Sequence, residues 1–546
     1  MSLNAHYWFG VLLSLRKIII KVSTMTLNTL DISIFIAYVI GLLIAALWIS
    51  RNEGSEDRNT DDYFLASKSL PWWAVGASLI AANISAEQII GMSGSGFAIG
   101  LAIASYEWMA AITLLIVGKY FLPIFLNSGI YSMPQFLEKR FDHRVKTVMA
   151  IFWLGVYVFV NLSSILWLGG LAISAMTGAD ILFGMLFLAL FSIAYSLYGG
   201  LKAVAFTDII QVVLLVLGGL ILSYLALDEI AQGQGIVAGF SLLTELAPEK
   251  FDMILTSDNP HYMSLPGISV LVGGMWVMNL SYWGFNQYII QRALAAKNIN
   301  EAQKGIVFAA FLKLLMPIIV VLPGIAAVVL IPNLSSPDQA YPEMMSLMPH
   351  GLKGLIFAAL VAAIISSVSS MSNSIATIFT LDIYQSLAPN KSQKHYVNVG
   401  RMASLVALCL ALVIAKPLLG NFEQAFQYIQ EFTGFFTPGI VVLFILGLFW
   451  KGINANGALA AAVSSAVLSL LFKLLWPELP FIDRVGLVFL LCLVIAVVIS
   501  LSTVQSNKEH NHAVDLKEIS FHTGSIFNTA AVSLVLIIAA LYATWW

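Results

Sequence analysis

The sequence predicts an all-α, polytopic membrane protein of about fourteen transmembrane helices. Three observations carry this. Of the 546 residues, 59% are hydrophobic and only 10% charged, where a soluble domain carries about 25% charged residues. Apolar runs recur along the whole length. Ile32–Ser50 alone holds 19 residues without a charge, and roughly 18 suggest a spanning helix. Finally, one alternate set of connections collects seventeen lysines and arginines, the other only five (Lys250, Lys353, Lys416, Lys473 and Arg484). The positive-inside rule makes the basic set cytoplasmic. An even number of helices then leaves both termini outside.

Taken in order, apolar runs between polar punctuation give spans at 32–50, 71–98, 102–125, 145–175, 180–198, 204–228 and 265–290. The rest follow at 304–331, 354–386, 397–420, 424–450, 455–475, 484–503 and 524–545. No segment reads as a soluble domain, and the longest polar connection is 229–264. Residues 1–24 break the charge pattern, because Arg16, Lys17 and Lys21 would lie outside. That stretch is too short and interrupted to span, and it lacks the basic start of a signal peptide. Met25, directly before the first clear helix, is the expected natural start. Cys409 and Cys492 lie in apolar runs and give no disulfide framework. No histidine pairs with cysteine or carboxylate at ligand spacing, so no transition-metal site is expected.

Polar groups within a bilayer are costly and usually functional, at about 2.5–3.5 kcal/mol or more for a central charge. The candidates are Glu87, Glu107, Lys119, Asp208, Lys313, Glu423 and Glu431, with Lys119 read as snorkelling from a helix end. The second span contains LIAANISAEQIIGMSGSGFAIG, Leu79–Gly100. Asn83, Ser85, Glu87 and Gln88 crowd together there, followed by four glycines. Small and polar residues let the helix unwind and free carbonyls. Lipid cannot satisfy those groups, so they must line a polar cavity. Broken helices at mid-membrane are a common device of secondary transporters, and free carbonyls suit a hard cation. A kinked helix whose polar groups bond to neighbours is the plainer alternative.

A second interrupted helix is expected at Gly273–Arg292, where Asn279, Tyr282 and Asn286 share a face and Gly284 eases a break. Five helices from each interruption, 71–228 and 265–450, suggest two inverted repeats, since an odd number per repeat reverses orientation. Around them lie the 1–24 extension, a first helix and cytoplasmic loop at 25–70, the 229–264 loop outside, and peripheral helices at 451–546. In ALVAAIISSVSSMSNS, Ala359–Ser374, small residues either pack helices closely or supply hydroxyls to an ion. EQAFQYIQEFTG, Glu423–Gly434, sets Phe426 and Gln430 on one face. Amides, a carboxylate, a lysine and aromatics suit a polyol, whose hydroxyls both donate and accept.

At these residues the chain resembles the sodium/solute symporter family, and within it the sugar-carrying branch. DYFLASKSLPWWAVGASLIAANISAEQ (Asp62–Gln88), YSLYGGLKA (Tyr195–Ala203), YWGFNQYIIQRALAAK (Tyr282–Lys297) and AFQYIQEFTG (Ala425–Gly434) carry the likeness, which covers nearly all of the chain after Met25. It implies a LeuT-like five-plus-five inverted-repeat core with discontinuous first core helices. It also implies that sugar hydroxyls meet Gln88, Glu107, Asn279, Lys313 and Gln430. Tyr282, held by Asn83, would be the inner gate; Met92, Tyr106 and Phe426 would form the outer one. Sodium would take the carbonyls of Ala81, Ile84 and Ala363 and the hydroxyls of Ser366 and Ser367, with Asp208 on its exit path. The galactose-carrying pattern has a serine one turn after the glutamate; here it is Ala110, which bears on which sugar is taken.

The expected function is therefore sodium-driven hexose uptake, of galactose or glucose type, by alternating access in the plasma (inner) membrane. Sodium is the co-substrate, and sugar and the lipid bilayer are the other partners. No nucleic acid and no obligate protein partner are expected. Family members for inositol, sialic acid, proline or an anion are the alternatives. A channel would require a continuous pore, and none of the H-E-x-x-H, G-x-S-x-G or P-loop patterns of an enzyme occurs.

Overall fold

The computed structural model describes residues 27–50, 70–127, 133–198, 201–420, 422, 424–503 and 516–546. The 1–24 extension with Met25, Asp62 to Ser69 of the first motif, Gly199 and Gly200 of the second, and Glu423 lie outside these residues. The described residues form helices throughout and no named strand.

After α1 (Thr29–Ser50), the expected broken helix appears as α2 (Trp72–Asn83), a π-helical turn at Glu87–Gly91, and α3 (Met92–Ala98). The two halves are bent by 68°. Then come α4 (Ser105–Ile116), the short α5 (Met133–Arg140), and α6 (His143–Gly155) running through a π turn into α7 (Ser163–Thr177). α8 (Ile181–Tyr198) and α9 (Leu201–Ile230) complete the first half. The second half opens with α10 (Gly274–Leu280), followed by α11 (Ile299–Met316), α12 (Leu352–Thr377) and α13 (Gln393–Leu419). A second bent pair, α14 (Ala425–Thr433) and α15 (Thr437–Phe449), turns by 47°. The last helices are α16 (Ala455–Leu475), α17 (Phe481–Ser502) and α18 (Ser525–Thr544).

By length and composition, nine helices among the described residues can cross a membrane, or eleven if each bent pair is one span. The other three expected spans fall on α1 and α8, which are apolar helices, and on the interrupted 268–294 stretch. That last stretch breaks twice. Gly273 separates α10 from the turn before it, and Asn286, extended at φ −82° and ψ 122°, follows the π turn Ser281–Phe285. The break thus falls two residues beyond Gly284. The 229–264 connection is not wholly irregular, because Ile236–Leu246 is helical. Its apolar face lies back on α9, with Gly239 against the Leu227 carbonyl.

Burial sorts the helices. The most apolar stretch of Leu352–Leu387 is 83% buried, whereas those of α16, α17 and α18 are 28%, 28% and 22% buried. Leu471, Leu475, Val494, Val498 and Leu536 face outward from these peripheral helices. Their apolar outer surface is what contact with lipid requires. At the centre small residues bring backbones together: a Cβ on Gly76 of α2 would stand 2.7 Å from the Gly305 carbonyl of α11.

Helix ends are also tied by charge. Arg140, 3% exposed, donates Nε–H to the Gly447 carbonyl at 2.8 Å and its Nη2 hydrogens to Trp450 and Ile453 at 3.2 and 3.4 Å. It thereby satisfies carbonyls left open at the end of α15. Arg140→Ala should remove the packing and leave those carbonyls without a donor. The expected cost is about 1–3 kcal/mol, seen as a lower thermal midpoint in detergent, with Arg140→Lys recovering part of it.

Candidate functional site

The break after Asn83 creates the site. Ile84 is the last residue whose amide bonds back along α2, to Ile80 at 2.8 Å; its φ of −73° and ψ of 102° are extended. Among the described residues, the carbonyls of Ala81 and Ile84 receive no backbone donor. The chain resumes only where Gln88 and Ile89 bond to Ser85.

On one side of the break stands a cluster of buried polar side chains. Lys313 on α11 donates to Glu107 Oε2 on α4 at 2.6 Å and also to Asn83 Oδ1. Glu107 Oε1 accepts from Gln88 Nε2. Asn83 Nδ2 donates to the Tyr282 hydroxyl at 3.1 Å. The Glu107 and Lys313 side chains are 3% and 1% exposed. The Lys313 ammonium also lies over the Trp283 ring, 4.9 Å from its centroid. One hydrogen-bonded chain thus runs Gln88–Glu107–Lys313–Asn83–Tyr282, joining both broken segments to α4 and α11.

Aromatics close one end of this cluster. Tyr106 meets Phe426 of α14 edge to face, with centroids 5.1 Å apart, and Met92 beside Gln88 is fully buried. The other end opens past Asn83 and Tyr282 into a cavity. Its wall includes Ala81, Ile84, Ser85, Glu87, Asp208, Arg292, Ala363, Ser366 and Ser367. Ser366 Oγ donates to Asp208 Oδ1 at 2.5 Å. All five expected sodium ligands therefore line one cavity together with the expected exit-path carboxylate.

Two expected substrate residues stand apart. Asn279 is buried, but its Nδ2 bonds back to the Met275 carbonyl at 3.1 Å on its own helix. Gln430 is half-buried, one turn after Phe426 and outside the hydrogen-bonded chain. Lys119 is half-buried in a π turn with its ammonium near the Tyr120 ring, away from the cluster. Glu431 pairs with Lys473 at 2.8 Å and Arg484 at 3.0 Å, tying α14 to α16 and α17.

Three polar cavity residues escaped the sequence reading. Arg292 was counted as a loop charge, yet it lines the cavity and donates to Ser78 Oγ at 2.9 Å. Asn161 and Gln211 also line it, single polar residues in apolar helices with no local pattern. Ser370, in the serine-rich stretch singled out above, lines it too.

A family model for the sodium:solute symporter family matches residues 63–464. The chain belongs to that family. It is 52% identical over 538 residues to the sodium/glucose cotransporter of Vibrio parahaemolyticus, covering 95% of this chain and 99% of that one. It is 33% identical over 469 residues to human sodium/myo-inositol cotransporter 2, covering 81% of this chain and 69% of the relative. Among solved structures, a substrate-bound, outward-open Na+-coupled sialic acid symporter superposes with a TM-score of 0.74 at 22% identity, covering 87% of this chain and 98% of that one. The chain shares that fold, and the LeuT-like inverted-repeat architecture expected from the sequence is the one it has. This symporter is a transporter, not an enzyme, with sodium as its co-substrate.

In this symporter the central ion pair should dominate local stability. Breaking a buried pair leaves an uncompensated charge and costs about 3–5 kcal/mol, whereas replacing both members by apolar groups is often nearly neutral. Lys313→Met should accordingly lower the thermal midpoint in detergent more than Lys313→Met with Glu107→Leu. A double variant less stable than the single one contradicts this account.

Proposed function

We propose that this symporter couples sodium entry to uptake of a hexose of galactose or glucose type. The substrate would sit where Gln88, Glu107, Lys313 and Asn83 now bond to one another. That chain is the observation which carries the reading. Its members accept, donate, or do both, which is what several hydroxyls at once demand. Asn279 and Gln430 complete the sugar contacts once the cluster opens around a ligand. The 52% identity to a sodium/glucose cotransporter supports the same class of solute.

On this reading the cavity by Asp208 is the cytoplasmic vestibule, Tyr282 the inner gate, and Met92, Tyr106 and Phe426 the closed outer gate. Sodium is held between the free carbonyls of Ala81 and Ile84 on one side and Ala363, Ser366 and Ser367 on the other. Asp208 takes the ion over as it leaves. Both termini lie outside a plasma membrane, the two repeats are 71–228 and 265–450, and the remaining helices are peripheral. At −100 mV one sodium charge contributes about 2.3 kcal/mol. A tenfold gradient adds about 1.4 kcal/mol, together enough for accumulation on the order of several hundredfold.

Uptake of labelled galactose into proteoliposomes should require an inward sodium gradient. Excess galactose or glucose should suppress it, while myo-inositol, sialic acid and proline should leave it unchanged. Competition by inositol alone would move the substrate to the polyol class of the human relative, and sodium-independent uptake would end the coupling proposal.

Ser366→Ala with Ser367→Ala should raise the sodium concentration for half-maximal uptake. The same variant should weaken sugar binding at fixed sodium, because linkage between the two ligands is reciprocal. If these serines serve packing alone, thermal stability will fall with the sodium titration unaltered.

A further inference from the structure

Asp338 lies in a single turn, Pro337–Gln339, within the connection between α11 and α12. It is 2% exposed although it belongs to a loop. Its Oδ2 accepts the Ala425 amide at 2.9 Å, the first amide of α14. Among the described residues its Oδ1 is buried with no partner. On its other side is α3: a Cβ on Gly94 would stand 2.8 Å from the Asp338 Cα. One carboxylate therefore touches the far halves of both bent helices, the halves that carry Met92 and Phe426.

We propose that Asp338 is a proton-responsive latch of the outer gate, a positioning residue that clasps α3 and α14 while the gate is shut and releases them as it opens. The assignment of this end as the outer one rests on the functional reading above. The geometry argues for release rather than a permanent clamp. α14 is separated from α15 by a bend, so it can swing with its first turn free. Among the described residues, the one side-chain bond the latch makes to α14 is to its first amide. The bare Oδ1 means that closure desolvates a carboxylate without replacing all its water contacts, which disfavours the ionised form. Burial pushes the carboxyl up to about 7, against which the Ala425 amide acts only in part.

The sign follows. An opened latch returns Asp338 to water, where its carboxyl ionises near the ordinary value of about 4. Protons then bind the closed form more tightly, so closure gains weight as pH falls from about 7 towards 4 and loses it above 7. Between pH 8 and pH 6 the closed-to-open ratio should change about tenfold. The elements around this turn carry other titratable groups. Glu87 lies on the adjoining π turn, Tyr341 and Glu343 on the helix Ala340–Met344, and Tyr428 and Glu431 on α14. α3 and α7 contribute none. Lys250 donates to the Ala98 carbonyl at the end of α3 at 2.7 Å.

The test uses the full chain with Cys409→Ala and Cys492→Ala and a single reporter, Gln427→Cys, on the buried face of α14. Labelling by a water-soluble maleimide is followed in detergent without sodium or sugar, from pH 6 to pH 8. Each rate is normalised to the same protein unfolded at that pH. The parent should label about tenfold faster at pH 8 than at pH 6. Asp338→Asn, which keeps an acceptor for Ala425 but cannot ionise, should label slowly throughout; Asp338→Ala should label fast throughout. If the alanine variant fails to fold, the asparagine variant decides alone. A pH step that persists in Asp338→Asn, or none in the parent, overturns the latch. Because neither substrate nor membrane orientation enters, failure here leaves the transport proposal standing.

Discussion

The Lys313–Glu107 pair is the interaction on which the centre of the molecule depends. Two opposite charges buried at 2.6 Å are tolerated in an apolar bundle only because their remaining valences are met. Glu107 is completed by Gln88, Lys313 by Asn83 and the face of Trp283. Each completing group comes from a segment that has lost helical regularity or adjoins one that has. The pair thus fixes where α2 ends, which face of α4 points inward, and how closely Tyr282 approaches Asn83. An apolar pair would pack as well, but it would give no reason for α2 to end there.

Unwinding has its own requirement. A carbonyl released from a helix costs several kcal/mol in hydrocarbon. The break after Asn83 is accordingly interior, with Ile84 and Ser85 both buried. The less buried helices α16, α17 and α18 shield that interior and present apolar faces outward. Glu431, held by Lys473 and Arg484, anchors α14 to this shell. Arg140 does the same for the far end of α15. The bent pair is therefore held just before its 47° bend by Glu431 and at the far end of α15 by Arg140.

Much of this was legible in the sequence for a physical reason: a bilayer penalises every polar residue that lacks a task. Asn83, Gln88, Glu107, Asp208 and Lys313 stand out against apolar neighbours; the last four prove to be buried and Asn83 half-buried, each beside a partner or the cavity. The glycine- and serine-rich stretch announced the break in α2–α3. Legibility failed where context decides. Arg292 looked like a loop charge because it follows the helix break, yet the break turns it back into the cavity. The second interruption lies at Asn286 rather than Gly284 because extended backbone with negative φ does not require glycine. Asp338 sits in a polar loop, where nothing local signals that the chain folds it beneath two helices. Asn279 and Gln430 share helix faces with site residues, but a helix face does not fix whether a side chain bonds its neighbour or its own backbone.

The proposed coupling between ion and sugar finds its shortest route in Asn83. Its carboxamide bonds both Lys313 and Tyr282, within the proposed sugar site and inner gate. Its backbone lies between Ala81 and Ile84, which line the cavity and whose carbonyls are the proposed sodium ligands. A cation that pulls those two carbonyls into register must set the orientation of the residue between them. A sugar that displaces Lys313 from Asn83 must, in return, change the freedom of those carbonyls. No long relay is needed, because the two sites meet within four residues at the end of α2. Coupling free energies of about 1–3 kcal/mol are typical of linked sites. The rearrangement of one or two charge-assisted hydrogen bonds, each contributing about 1.5–3 kcal/mol, is of that size.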